Sequence, residues 1–310
     1  MRWVTYLSPQ GGGERIGLVR DGKIHGLTQP TRLLDLLGDD GGRLSDAGRR
    51  ALADPYQVVQ YEEARLCAPI PVPPSIRDFL AFEQHIKTIR EGQGGQMSPD
   101  WYQLPVFYFS NPAGVLGPRD EIAISPGSDQ FDYELEVAAV VGRGGSDLSP
   151  EEAEESIAGY MVLSDWSARD LQYREMAQLL GPAKGKDSAT SLGPELVTPD
   201  ELEPWRDGTR LRLKMRAAVN GVDYSAGDLG EIYWSFGQMM AYASRGTRLV
   251  PGDVIGSGTV GTGCILELAL TYGSDRYPWL KAGDEVRLEV EQLGAIVATI
   301  RPGTAPKPLK

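Results

Sequence analysis

The sequence predicts a mixed, mainly β protein, with a strand-rich, barrel-like main domain behind a small α+β N-terminal domain. Three observations predict it. Glycine and proline number 38 and 22 in 310 residues, which suits many short strands and turns better than a helical bundle. Asp21-Gly22 and Asn220-Gly221 each sit between alternating apolar and polar runs, and such dipeptides supply the positive φ angles of a type I′ hairpin turn. No helix recurs at a fixed interval between the strands, which argues against a doubly wound parallel sheet.

In chain order, residues 14–27 form the first hairpin, and residues 31–52 hold two short helical patterns. The proline-rich run 68–75 is stiff and extended, and it divides a small domain, 1–70, from the main domain, 71–310. After Ser75, a plausible N-cap, residues 76–93 read as one helix. Phe79, Phe82, Ile86 and Ile89 fall on a single apolar stripe, and Gly92–Gly95 end it. Residues 104–110 and 132–142 are strands by their aromatic and β-branched content. Ser149-Pro150-Glu151-Glu152 is a capping box with proline at the first helical position. Residues 159–168 read as a strand and a turn, and 198–202 as the start of a short turn. A second hairpin turns at Asn220-Gly221, and a helix over 232–246 is closed by Gly246. The remainder alternates short strands with Gly-Asp turns, and residues 265–268 belong to one of those strands.

Lys plus Arg number 31 against 43 Asp plus Glu, a net charge of −12. Such a polyanion repels nucleic-acid phosphate, so no nucleic-acid partner is expected. The opening residues carry no apolar leader and no stretch of ~18 apolar residues occurs. The expectation is a cytoplasmic protein with no membrane partner. Two histidines and two cysteines are too few for a His-rich or Cys₄ zinc site or a disulfide framework. A bound metal must therefore rely on carboxylates.

Glu134 and Glu136, two apart on a predicted strand, share one face in an otherwise apolar run. Like charges placed so repel unless neutralised, and a hard divalent cation prefers such oxygen donors. The ordinary alternative is the solvent face of an edge strand. Asp165 ends an apolar strand where a loop begins; it is either a site residue or a turn cap. Asp78 and His85 are seven residues apart on the predicted helix, nearly two turns, and so point to one side. A lone histidine is more often satisfied by a structural hydrogen bond. With only His25 besides, in a predicted strand, His85 is the stronger candidate for an imidazole base. Arg169 follows Asp165 by four residues. Lys186 lies in a Gly/Lys/Ser/Thr loop that lacks the P-loop pattern; it is a surface lysine or a holder of an anionic oxygen. Glu267, between apolar neighbours, is edge-exposed or a buried partner for a cation or histidine.

Six segments stand in the order found in the fumarylacetoacetate hydrolase family: RDFLAFEQH (77–85), DYELEVA (132–138), SDWSARDLQ (164–172), LGPAKGKDSATSLGP (180–194), PGDVIGSGT (251–259) and ILEL (265–268). The chain resembles that family over roughly 70–310, and its first 70 residues resemble the leader domain of longer members. The resemblance implies a rolled, barrel-like β-fold, usually in a homodimer. It implies a divalent metal, Mg²⁺ foremost with Ca²⁺ or Mn²⁺ as alternatives, held by Asp78, Glu134, Glu136 and Asp165. His85 matches the family's water-activating base and Glu267 the acid that orients it. Lys186, Arg169, Gln172, Tyr108 and Thr259 match substrate-contacting positions.

The reaction so implied is metal-assisted hydrolysis of a carbon–carbon bond in a small anionic 1,3-diketo acid. It would be of the fumarylacetoacetate, fumarylpyruvate or acylpyruvate type, with Lys186 and Gln172 holding the oxyanion, as in the catabolism of aromatic compounds. The alternative at the same site is isomerisation, decarboxylation or dehydration of a 2-oxo acid. Retention of His85 with Glu267 favours hydrolysis. Leu80 stands where the family's animal hydrolase has a tyrosine near the metal and substrate; a hydrogen bond to substrate is lost with it, which counts against fumarylacetoacetate itself as the substrate.

Overall fold

A computed structural model describes all residues, 1–310. Ten strands form the main path of a large sheet. In spatial order they are Gln57–Gln60, Lys23–Gly26, Glu14–Arg20, Arg2–Leu7, Thr190–Val197, Ile157–Asp165, Leu135–Val141, Val254–Gly256, Ile76–Phe79 and Phe107–Ser110. Most pairs are antiparallel, and Val254–Gly256 runs parallel to Ile76–Phe79. A five-stranded sheet stacks Val222–Asp228, Lys214–Val219, Glu285–Val290, Gly294–Arg301 and Ile122–Ala123. The large sheet has two ends and does not close. The barrel-like expectation holds as a strand-rich, mainly antiparallel architecture. Arg2–Leu7 pairs with Thr190–Val197, so the first residues extend the main sheet rather than forming one of their own.

The Leu135–Val141 strand is buried along its whole length, which explains its nearly unbroken apolar run. Leu135, Val137, Ala139 and Val141 join Met215, Leu288 and Ile296 of the second sheet in one core cluster. On the opposite face Ala138 and Val140 pack with Trp3, Leu18 and Met161. Glu136 shares the parity of Ala138 and Val140 and is fully buried.

The local signals are obeyed. Asp21 and Gly22 have φ of 49° and 70°, and Asn220 and Gly221 of 52° and 76°. Ser149 and Glu152 form the capping box at the start of the Pro150–Glu155 helix. A second box, Ser235 with Gln238, opens the Phe236–Ser244 helix; its S-x-x-Q spelling is a signal the sequence reading missed. No helix is long and apolar enough to cross a membrane.

Two expected elements are different. Residues 76–93 are not one helix: Ile76–Phe79 is a strand, and the helix is Glu83–Gly92. Asp78 and His85 therefore sit on different elements. Ile76–Phe79 is held between Val254–Gly256 and Phe107–Ser110, and these distant partners override the helical periodicity. Ser75 caps nothing; its hydroxyl donates to Asp253 Oδ1 at 2.7 Å. Likewise residues 265–268 open the Ile265–Tyr272 helix rather than a strand.

Candidate active site

Four adjacent strands of the large sheet build the floor of one cavity. Asp165 is the last residue of Ile157–Asp165, Glu136 lies in Leu135–Val141, and Asp78 lies in Ile76–Phe79. Between the last two runs Val254–Gly256, with Gly256 in register with Asp78. A Cβ on Gly256 would meet Asp78 Oδ1 at 2.5 Å, so glycine is what lets this strand lie against the carboxylates. Gly258, at φ +76°, turns the chain so that its amide donates to Glu136 Oε2 at 3.0 Å.

Asp78, Glu136 and Asp165 each bring an oxygen within 4.8 Å of the others. Each also keeps one buried oxygen with no hydrogen-bond partner: Asp78 Oδ1, Glu136 Oε1 and Asp165 Oδ1. Buried acceptors are normally satisfied. Three buried carboxylates drawn this close, each with an unsatisfied oxygen, fit a hard divalent cation. Glu134 is engaged differently. Its Oε2 accepts from Lys186 Nζ at 2.5 Å, and its Oε1 is ion-paired with Arg169 Nη1 at 2.8 Å. Lys186 also donates to Asp165 Oδ2 at 2.6 Å and Ser167 Oγ at 2.8 Å. The Tyr108 hydroxyl lies within hydrogen-bond distance of Asp78 Oδ2, at 3.1 Å, and of Asp165 Oδ2.

Electrostatics divide these carboxyls. Burial, then mutual repulsion, pushes Glu136 well above the usual carboxylate range. Burial likewise raises Asp78 and Asp165 against the pull of Lys186. Burial would raise Glu134 too, but Lys186 and Arg169 hold it well below that range. Lys186 is itself held above the ordinary lysine value by Asp165 and Glu134, against its burial. A folded carboxyl whose pKa is raised binds a proton that the unfolded chain releases, so its contribution falls as pH climbs from about 4 through the folded value. Chelated protein is therefore expected to lose thermal stability between about pH 5 and pH 8, and excess Mg²⁺ to restore it by displacing those protons. Melting curves with EDTA or Mg²⁺ at both pH values check this; parallel curves would remove the cation from the floor.

His85 projects from the Glu83–Gly92 helix and is buried, its Nδ1 2.9 Å from Glu267 Oε2. Glu267 is thus the buried histidine partner rather than an edge residue. In the tautomer that donates its Nδ1 proton to this carboxylate, Nε2 carries the lone pair. The helix that carries Glu267 is anchored by a residue the sequence reading did not single out. Asp132 accepts the Ile265 amide at 2.8 Å and the Leu266 amide at 3.0 Å, while its Oδ2 takes Arg169 Nε and Nη2 at 2.9 and 2.7 Å. Its place two residues before Glu134, on the same strand parity, was the available signal.

These groups open into a cavity of about 330 Å³. It is lined by Asp78, His85, Glu134, Glu136, Arg169 and Lys186 together with Tyr108, Gln172, Thr259 and Leu80. Asp165 adjoins through Lys186, and Glu267 through His85. Arg169 is spent on Asp132, Glu134 and Gln172. Leu80 presents an apolar side chain, and its carbonyl accepts from Trp101 Nε1. The arrangement can hold a divalent cation beside an oriented imidazole base.

Residues 75–301 match the family model for the C-terminal domain of fumarylacetoacetate (FAA) hydrolase. The human mitochondrial oxaloacetate tautomerase FAHD2A is 29% identical over 306 residues, covering 96% of this chain and 90% of its own. The fumarylacetoacetase of Oryza sativa subsp. japonica is 30% identical over 267 residues, 68% of this chain and 62% of its own. Among solved structures, a fumarylacetoacetate hydrolase from Exiguobacterium antarcticum superposes with a TM-score of 0.76 at 26% identity, covering 97% of this chain and 99% of that one. Maleylpyruvate hydrolase from Sphingobium sp. SYK-6, in complex with manganese(II) and pyruvate, shares the fold with a TM-score of 0.72 at 22% identity, covering 98% and 100%.

Proposed function

The chain belongs to the fumarylacetoacetate hydrolase family, and on that premise we propose that it is a divalent-metal-dependent isomerase catalysing keto–enol interconversion of a 2-oxo diacid of the oxaloacetate type. The observation that carries this is the cluster of three buried carboxyls, Asp78, Glu136 and Asp165, each with an unsatisfied oxygen, in the cavity that also holds the His85–Glu267 dyad. Sequence alone ranks carbon–carbon hydrolysis first because that dyad is present. A dyad supplies a base to either reaction, and the chain-long relatives named oxaloacetate tautomerases shift the weight to isomerisation.

A cation held by Asp78, Glu136 and Asp165, with Mg²⁺ or Mn²⁺ suited to this oxygen set, would polarise the keto oxygen and stabilise charge developing on it. Glu267 holds the imidazole through Nδ1. Nε2 then takes a proton from the carbon beside the keto group while the oxygen gains one from solvent to complete the enol; in the reverse direction the enol O–H proton leaves to solvent and the imidazolium returns its Nε2 proton to the carbon. Lys186 and Arg169 keep Glu134 ionised, and the Tyr108 hydroxyl sits between two floor carboxyls, Asp78 and Asp165, sharing its one proton with them. Thr259 and Gln172 offer the uncharged polar contacts of the cavity wall.

Hydrolysis is the second reading. It is favoured by the same His85, which could take its proton from water, and by the relatives named as hydrolases. The deciding assay gives Mg²⁺-loaded protein enolic oxaloacetate and follows its ultraviolet absorbance, with fumarylacetoacetate, fumarylpyruvate and an acylpyruvate scored for release of two acids. Accelerated ketonisation that EDTA abolishes is expected. Release of two acids without ketonisation would replace the isomerase by the hydrolase, and neither activity would reject both.

A further inference from the structure

We propose that Glu175 is the positioning residue for Lys186, holding the turn from which that lysine reaches the cavity floor; its effect on turnover rests on the isomerase reading above. Lys186 is buried and donates to Glu134, Asp165 and Ser167, yet it lies in no helix or strand. The amides of Lys186 and Asp187 both donate to the Ala183 carbonyl at 2.9 Å, which closes a turn. Such a turn leaves its leading amides without partners of their own, as at the start of a helix. Glu175 takes three in succession. Its Oε2 accepts from Ala183 at 2.9 Å and from Gly185 at 3.0 Å, and its Oε1 accepts from Lys184 at 2.7 Å. On the other side of the turn the Gly185 carbonyl accepts from the Ala168 amide at 2.8 Å.

Glu175 stands in the last turn of the Arg169–Met176 helix, where the helix dipole disfavours an acid. The helix gains nothing from a carboxylate there; the turn does. Its slight burial would raise Glu175, but the amides of Ala183, Gly185 and Lys184 hold it below the usual carboxylate range. It stays ionised, and the three bonds it accepts are charge-assisted. The same helix begins at Arg169, whose guanidinium pairs with Glu134. One short helix therefore carries the first cation on Glu134 at its start and fixes the second, Lys186, near its end. A lysine ammonium rides on a flexible four-carbon stem, so its backbone must be registered if the charge is to fall between Glu134 and Asp165.

A role confined to capping the turn predicts a lower melting temperature and an undisturbed ammonium, so the ammonium is the readout. Every lysine other than Lys186 is exposed. In ¹⁵N-labelled protein, Lys186 should therefore give the one lysine side-chain N–H signal protected from exchange with water. The experiment records that signal, and kcat for enolic oxaloacetate with Mg²⁺, in wild type, Glu175→Gln, Glu175→Asp and Lys184→Ala. Glu175→Gln keeps the length and one acceptor oxygen but loses the charge. It is expected to lose the protected signal and to lower kcat about tenfold, within the range that a misplacement of about 1 Å produces. Glu175→Asp should restore part of both. Lys184→Ala removes the exposed Lys184–Asp187 pair of the same turn and should change neither. Absence of the signal from wild type, its survival in Glu175→Gln, wild-type kcat in that variant, or equal losses in Lys184→Ala overturns the assignment. A wild type without oxaloacetate turnover, whose signal is lost in Glu175→Gln, rejects the isomerase reading and leaves Glu175 assigned.

Discussion

His85→Ala is expected to slow turnover by about 10²- to 10⁴-fold, the usual contribution of a positioned base, while cation binding survives. The two effects separate because His85 stands outside the Asp78, Glu136 and Asp165 cluster. The substitution also strands Glu267, whose Oε1 already lacks a partner. Loss of the second oxygen's partner should cost about 1–3 kcal/mol of stability, leaving a folded protein on which turnover can be measured. Adding Glu267→Gln to His85→Ala should then slow the reaction little further, since residues acting as one unit are not additive. The checks are kcat/KM for single and double variants and a Mg²⁺ titration of His85→Ala. Turnover near that of wild type would remove His85 as the base.

Lys186→Met should be the most destabilising single change at the site. Its ammonium lies between Glu134 and Asp165, all three buried. Methionine fills much of the volume and leaves two carboxylates facing each other. Breaking a buried ion pair on one side costs about 3–5 kcal/mol, a large share of the roughly 5–15 kcal/mol that holds a domain together. The pH dependence has a definite sign. Glu134 is depressed in the folded protein, against its burial, chiefly by Lys186. The stability it contributes is present above the unfolded carboxylate value and lost as pH falls through the folded one. Without Lys186 that contribution disappears, so the deficit of the variant should be larger at about pH 7 than near pH 4. Urea unfolding at the two pH values measures it. An equal deficit at both would mean that lost packing, not lost charge, is responsible.

Where a signal is local, the sequence speaks for the structure. Asp21-Gly22 and Asn220-Gly221 turn their hairpins because both residues of each pair adopt positive φ. Glu136 announces itself as a carboxylate in an otherwise apolar strand, and Asp165 as an acid at a strand end. What was illegible depends on distant partners. The Ile265–Tyr272 helix has no side-chain cap from its own N-cap residue; its first amides are taken by Asp132, more than a hundred residues earlier. No window around residues 265–268 contains that acceptor. Residues 76–79 become a strand only because Val254–Gly256 and Phe107–Ser110 flank them. The different circumstances of Glu134 and Glu136 were equally hidden. Spacing places both on one face, but only the arrival of Lys186 and Arg169 makes Glu134 an ion-pair partner.

The break between Ile76–Phe79 and Glu83–Gly92 has a consequence for how such a protein can change. The acids of the cavity floor are set into the sheet, where neighbouring strands fix one another. The imidazole rides on a short helix, Glu83–Gly92, attached through a few residues after Phe79. Substitutions in the sheet decide whether there is any chemistry at all. Substitutions in the helix would change the imidazole and the wall around it while leaving the sheet's carboxyls in place. A scaffold divided in this way can exchange its reaction without rebuilding its foundation, and relatives bearing the names of tautomerases, isomerases and hydrolases are what that division would produce.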